Sequence, residues 1–586
     1  MKHRLLAWSQ KIVSPITENP VFFIFTAIIL YLPTLIYWIT NFSNGQRSYG
    51  ILAMPIICIV AYTLATMAQL SGRHKRSIKA ITYTLLYFLS AIEIFLIVQF
   101  STLISPLTLR LLSETNPTET YNFFITFITN RNTGFIICIF GLIAFVNYHC
   151  EIHIKSFSFS QKIAPIISCI IICAGAVQLC RDYRFTRHLL KDDINQVANI
   201  KGRYKTQYTS LGRLIFSCRI FQLSFNDIDN LAATLEQHTL TLCPRPINNV
   251  VLIIGESFIK HHSSLYGYKL DTNPLLYKEC QTENLAIFND VITSHNVTSD
   301  VMKRLFSFSN QDSDAYWTTY SMFPKTFISA GYKSYFLSNQ EAKLTANTWD
   351  FANTFLISPK VVKNLFHWQN ERYYKYDSEL IEKHLDWLCT ATKKPKLLTI
   401  HLIGQHVGFA ERYDHSNARF TTNDYEYRQD LNSYQKECVI HYDNATAYND
   451  QIVRSIIERF KNEEAIIIYL SDHGEEVYDY RNHMGRSIEP IVTPERAKYQ
   501  FEIPFMIWMS DKYKQNLPDM VARIERSVDR PYMIDDLPHL MLDLAGIECE
   551  WFDPTRSIIN DKFNAKRKRL LLDSKQDYDE IMKGAK

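Results

Sequence analysis

The sequence predicts a two-part protein: a bundle of five membrane-spanning helices, then an α/β domain built on a mostly parallel sheet. Three observations point there. Charge is unevenly distributed, long apolar runs crowd the first third, and short apolar runs alternate with amphipathic stretches in the remainder. Averaged over 586 residues, 47% apolar content and a net charge of +4 would suit an ordinary soluble protein. The average conceals a division, however. Residues 1–180 carry 12 Lys and Arg against 5 Asp and Glu, whereas the rest of the chain carries 51 against 54. The net charge therefore separates into +7 and −3. The slightly acidic second part gives no footing for nucleic acid, whose phosphates require a basic surface.

Five apolar runs, at 20–40, 51–70, 80–104, 124–148 and 163–180, each approach the roughly 20 helical residues that cross a hydrocarbon core. The fourth is interrupted by Thr129-Asn130-Arg131-Asn132, which marks an alternative start. No small-residue cleavage site closes the first run, so it reads as a span and not as a signal peptide. Basic residues in the short connections set the orientation. Lys2, Arg4 and Lys11 precede the first span, Arg73, Lys75, Arg76 and Lys79 separate the second from the third, and Lys155 and Lys162 precede the fifth. The opposite side has Arg47, Arg110 and Arg131. The N-terminus is thus expected in the cytoplasm, and an odd number of spans exports the rest, in a bacterium to the periplasm. Glu93 falls inside the third span, where a carboxylate is either functional or hydrogen-bonded between helices. The exported loop 114–119 brings Glu114 and Glu119 to the membrane face, within reach of a headgroup amine.

Residues 181–241 read as bridging helices lying on the membrane surface. Leu211, Leu214, Ile215, Cys218 and Phe221 recur at helical spacing, and Arg181, Arg184, Arg187, Lys191, Lys201, Arg203 and Lys205 suit anionic headgroups. Cys243-Pro244-Arg245-Pro246 then punctuates the boundary with a domain spanning 242–586. In it, 249–255, 333–338, 397–404 and 465–471 read as buried strands, each followed by a polar turn. Ligands gather beyond the carboxyl ends of such strands, and Glu256, His406, Asp472 and His473 stand there.

Carboxylate and imidazole together suit zinc, with manganese the second choice. Thr298 is the candidate nucleophile. It opens a stretch whose Val301, Leu305 and Phe308 have helical spacing, which predicts Thr298 at the N-cap, where the helix favours negative charge. His406 and His483 are placed to bind a second metal or a phosphate.

These residues together resemble the phosphoethanolamine transferases of Gram-negative inner membranes, whose catalytic domain is sulfatase-like, or alkaline-phosphatase-like. The resemblance rests on Gly255-Glu256-Ser257, on 264–268 with Thr272-Asn273-Pro274, on Ser338-Asn339-Gln340, on 401–406 and on Tyr442-Asp443-Asn444. It continues through 471–476 with His483 and through 503–508, and five spans with a connector match as well. By position it implies zinc ligands at Glu256, Thr298, Asp472 and His473, with Thr298 also the catalytic residue. It implies substrate contacts at His406, His483 and Glu119, the last toward ethanolamine. Departures from the family's lipid A branch favour the branch that modifies lipopolysaccharide core sugars. Ser294-His295-Asn296-Val297 replaces that branch's Cys-Gly-Thr-Ser segment, and Cys243, Cys280, Cys389, Cys438 and Cys549 allow at most two disulfides.

The implied reaction takes phosphoethanolamine from phosphatidylethanolamine onto Thr298, releases diacylglycerol, and passes the group to a core heptose or to lipid A. A monomer working among membrane lipids is expected. Alternatives are a glycerophosphate transferase of the lipoteichoic acid synthase type, a sulfatase-like phosphodiesterase, and a non-catalytic membrane scaffold.

Overall fold

The computed structural model describes residues 12–40, 49–100, 131–154 and 208–584, apart from 224–225, 314, 341–354, 488–490 and 573–575, together with segment 168–177 and scattered positions between 102 and 180. Glu114, Glu119 and the basic segment 181–207 lie outside them. The chain forms two compact units, Met1–Ser224 with Ser487–Glu489, and Phe225–Arg486 with Pro490–Lys586.

Among the described residues of the first unit, four helices are long and apolar enough to cross a membrane. They are α1 (Pro20–Thr40), α2 (Tyr49–Leu70), α3 (Lys75–Phe100) and α4 (Arg131–His153). Of the fourth run, 124–130 lie outside the described residues, and the rest is helical. Of the fifth run, the described part is a shorter apolar helix, Ser168–Val177. Large apolar side chains face outward, among them Ile28, Leu70, Phe88 and Phe135. Lipid exacts no penalty for that exposure, so packing selects small residues instead. Ala61, Ala65 and Ala68 of α2 are completely buried, the last two against Phe22 of α1.

Glu93 of α3 is a structural partner. Both its oxygens accept from Arg213, Oε1 from Nε at 2.6 Å and Oε2 from Nη2 at 2.5 Å. Ser210 Oγ and the Ile104 amide complete the shell. Arg213 sits on α5 (Ser210–Leu223), one of the bridging helices. On this helix Ser210, Arg213, Phe216 and Ser217 are buried, whereas Ile215, 62% exposed, and Cys218 of the apolar stripe face outward. The reason is electrostatic. A buried carboxylate needs its cation and hydrogen bonds more than an isoleucine needs cover.

The second unit opens with α6 (Asn226–Leu235) and is organised around a seven-stranded sheet. Its strands are β1 (Asn249–Gly255), β2 (Leu285–Ile287), β3 (Lys333–Ser338), β4 (Trp368–Gln369), β5 (Lys396–His401), β6 (Ala465–Ser471) and β7 (Phe505–Met509). They lie in the order β2-β7-β6-β1-β5-β3-β4. The β6, β1, β5, β3 and β4 strands run parallel, while β7 and β2 add antiparallel pairs at one edge. The sheet is therefore mixed, with the central strands parallel as expected. Every residue of β1 and β6 is buried, which explains why they read as continuous apolar runs.

Alternation along β1 divides the core into two layers. Val250, Leu252 and Ile254 pack with Val301 and Leu305 of α7 (Thr298–Phe306). Val251 and Ile253 pack with Leu380 and Leu385 of α8 (Asp377–Thr390) and with Ile452, Ile456 and Ile457 of α9 (Ser433–Phe460). Helices thus cover both faces and leave the carboxyl ends of β1, β3, β5 and β6 along one open edge.

Candidate metal centre and nucleophile

Register brings the site together. Gly255 pairs with Ser471 across β1 and β6, so Glu256 and Asp472 leave adjacent strand ends side by side. Ile254 and Ser338 each pair with His401, which places the ends of β3 and β5 beside them.

Immediately after Glu256 the chain turns through Ser257, a non-glycine residue at φ +58°. That left-handed conformation costs on the order of 1 kcal/mol, and the surroundings impose it. The Ser257 amide donates to Asp472 Oδ1 (3.1 Å), its hydroxyl to Glu256 Oε1 (2.7 Å), and its carbonyl accepts from the buried Tyr442 hydroxyl (2.6 Å). Opposite, Gly404 at φ +46° lets its chain approach so closely that a Cβ would lie 3.0 Å from the Glu256 backbone.

Glu256, Asp472 and His473 each offer a ligand atom, all within 4.8 Å of one another, and all three residues are buried. Thr298 Oγ1 donates to Glu256 Oε2 at 3.2 Å and lies 3.0 Å from His473 Nε2. All four expected ligand positions therefore converge. One detail is corrected: Thr298 is the first residue of α7, and the N-cap is Val297, which makes no side-chain cap. The Thr298 hydroxyl is directed to the strand-end residues and does not close the helix end, so it remains available for chemistry.

The donor set fits a divalent cation. Asp472 Oδ2 is buried without a hydrogen-bond partner although His473 Nε2 stands only 2.9 Å away. Burial raises the Asp472 carboxyl above its usual range, against opposing pulls from His401 and Arg486. Burial, reinforced by Arg486, pushes His473 down to about 3. A neutral imidazole and an orphaned carboxylate oxygen facing each other are what a shared cation resolves.

His406 follows the β5 end, its Nδ1 buried without a hydrogen-bond partner. Burial lowers it to about 4, with Glu256 opposing and Arg412 and Arg486 assisting. It is therefore a neutral hydrogen-bonding group and not a cation. His483 is partly exposed and lies in a loop whose Val477 and Met484 form a β-bridge, with its carbonyl accepting from the Tyr478 amide. All twelve cysteines are free thiols, so neither of the two allowed disulfides is present.

Two contacts escaped the residue-by-residue reading. Gln340 Nε2 donates to Glu256 Oε2 (3.1 Å) and the Leu402 carbonyl (2.8 Å) and lies 2.9 Å from His401 Nε2. Its place just past β3 was the available signal. Arg486 donates to the Asn296 carbonyl at 2.7 Å and to Glu475 at 3.2 Å, and it reaches the His473 ring. Nothing local in the sequence distinguishes it, because folding of the preceding loop brings it back to His473.

The sulfatase family model matches residues 248–547, half of the chain. Phosphoethanolamine transferase EptC of Escherichia coli K12 is 32% identical over 348 residues, which cover 57% of this chain and 58% of that protein. The match thus spans less than two thirds of the relative's length. The crystal structure of the C-terminal periplasmic domain of E. coli EptC in complex with zinc superposes with a TM-score of 0.52 at 30% identity, covering 59% of this chain and 97% of that one. The lipooligosaccharide phosphoethanolamine transferase A of Neisseria meningitidis, an integral membrane protein, superposes with a TM-score of 0.59 over 92% of this chain and 98% of its own. At 15% identity that likeness concerns the fold alone.

Proposed function

The chain belongs to the sulfatase family, and from that premise we propose that it transfers phosphoethanolamine from phosphatidylethanolamine to lipopolysaccharide, at a core heptose or lipid A, through a phosphorylated Thr298. The observation that carries this reading is the Thr298 hydroxyl at hydrogen-bond distance from both Glu256 and His473. The name of a relative supports it: EptC of E. coli is a phosphoethanolamine transferase.

Zinc held by Glu256, Thr298, Asp472 and His473 would lower the pKa of the threonine hydroxyl and polarise the phosphoryl group; the zinc complex of the EptC domain supports zinc. Thr298 Oγ1 attacks phosphorus and the bond from phosphorus to the glycerol oxygen breaks. The threonine proton departs toward Glu256 Oε2, which already accepts it, and passes on to the glycerol oxygen, so that diacylglycerol leaves as the alcohol. In the second half the acceptor's oxygen attacks the phosphothreonine and restores Thr298. His406, kept neutral, and His483 would hydrogen-bond the phosphoryl oxygens, or ligate a second metal. Glu119 would meet the ethanolamine.

This reaction suits a monomer in a Gram-negative inner membrane, with residues 1–180 spanning it, 181–241 bridging, and 242–586 in the periplasm. Donor, leaving group and acceptor are all anchored in lipid, which gives the apolar helices a purpose. The test is mass analysis of the Thr298 peptide after the purified protein meets phosphatidylethanolamine. A phosphoethanolamine adduct absent from Thr298→Ala is the expected result. Headgroup release without any adduct would mean direct hydrolysis and would overturn the reading.

A further inference from the structure

The site as described is short of positive charge. Glu256 and Asp472 contribute two carboxylates that one divalent cation would balance, so that pairing leaves nothing over to offset a phosphate. A phosphodiester arrives with one negative charge, and attack by an alkoxide adds another to the phosphoryl oxygens.

Resting on the transfer reaction above, we propose that Arg486 is a further catalytic residue, the guanidinium that binds the phosphoryl oxygens of donor diester and phosphothreonine at Thr298. Its placement carries the assignment. The guanidinium lies beside the His473 ring, whose Nε2 is 3.0 Å from the Thr298 hydroxyl, and zinc on that nitrogen would leave Nη1 its bond to the Asn296 carbonyl. Two buried acceptors aim the group from behind: Nε donates to Glu475 Oε2 at 3.2 Å, and Nη1 to the Asn296 carbonyl, two residues before Thr298, at 2.7 Å. Nη2 has no hydrogen-bond partner among the described residues, and the side chain is 20% exposed, so free donors face accessible space. Arg412, the other guanidinium near His406, has Nε and Nη2 on the His406 and Val407 carbonyls. A planar fork with two uncommitted N–H groups matches the paired non-bridging oxygens of a phosphodiester, a geometry lysine does not reproduce.

The alternative is that Arg486 only positions His473 for the metal. Two readouts on the full-length, detergent-solubilised protein separate these roles: zinc affinity, and the rate of adduct formation on Thr298. Arg486→Met is expected to bind zinc as tightly as the native protein and to form the adduct at least about 100-fold more slowly, the scale of losing one oxyanion donor. Arg486→Lys is expected to recover part of that rate. A native adduct rate in Arg486→Met would overturn the proposal, as would a fall in zinc affinity matching the fall in rate. Should the native protein form no adduct, the transferase reading fails on its own. Inorganic phosphate binding to the zinc-loaded protein then decides the role of Arg486, with affinity at least tenfold weaker in Arg486→Met expected and equal affinity overturning it.

Discussion

Gly474 leaves no room for a side chain: a Cβ there would lie 2.0 Å from the Tyr499 carbonyl oxygen, and its amide donates to the Gln500 carbonyl. The Asp472-His473-Gly474 turn is thereby pressed against the segment preceding β7, and the Asp472 and His473 side chains inherit their position from that contact. Backbone cannot yield as a flexible side chain can, so Gly474→Ala is expected to destabilise the fold by about 1–3 kcal/mol. It is also expected to weaken zinc binding at least tenfold, since Asp472 and His473 move with the turn. Urea unfolding and metal competition measure the two effects, and unchanged zinc affinity would show that the turn is not what places the ligands. Asp472 and His473 were readable as chemistry from their residue types, but the crowding behind Gly474 comes from a segment 25 residues away and was not.

At the scale of elements, the Glu93–Arg213 pair binds α5 to α3. Both side chains are wholly buried, at 0% exposure. Removing one partner leaves a desolvated charge, so Glu93→Ala and Arg213→Ala are each expected to cost about 3–5 kcal/mol. A double replacement by methionine should cost far less than the sum of the singles, because no charge is then left alone. Thermal unfolding in detergent across the cycle tests this, and strictly additive losses would show that the residues do not act as a pair. The sequence flagged Glu93 as anomalous within an apolar span, yet its partner lies 120 positions on, in a helix whose apolar spacing pointed to the opposite face. Periodicity finds the apolar stripe, which can face lipid; the partner of a buried carboxylate lies on the other face and leaves no periodic signal.

Across the whole second unit, His262 joins three parts of the chain. Its Nδ1 is 2.5 Å from Asp443 Oδ1 on α9, its Nε2 is 2.8 Å from Asp479 Oδ1 in the loop bearing His483, and it stacks on Tyr268. Burial alone would lower the imidazole, but Asp443 and Asp479 outweigh it and raise it to about 10. A folded-state value above the unfolded one means that unfolding releases a proton between the two. The stabilisation is therefore complete below about pH 6.5 and is lost as pH rises through about 10. The native protein is expected to lose up to about 1.4 kcal/mol per pH unit over that window through this group, and His262→Gln is expected to lack that component. Unfolding free energies at a series of pH values measure it, and identical slopes would refute the charged clamp.

The sequence by itself determined the division into an apolar helical part and a charged α/β part, the positions of the buried central strands, and Glu256, Asp472 and His473 as ligand types at strand ends, while the resemblance added Thr298 to them. Each follows from a local signal: run length against membrane thickness, continuous apolar runs against burial on both sheet faces, and metal-ligand chemistry at strand ends. Tertiary structure alone decided the mixed character of the sheet, the inward turn of Arg213, the release of Thr298 from a capping role, and the arrival of Gln340 and Arg486 at the site. Those depend on strand order and on loops folding back over long separations, where a residue's partner is set by the packing of other elements and leaves no pattern near the residue itself.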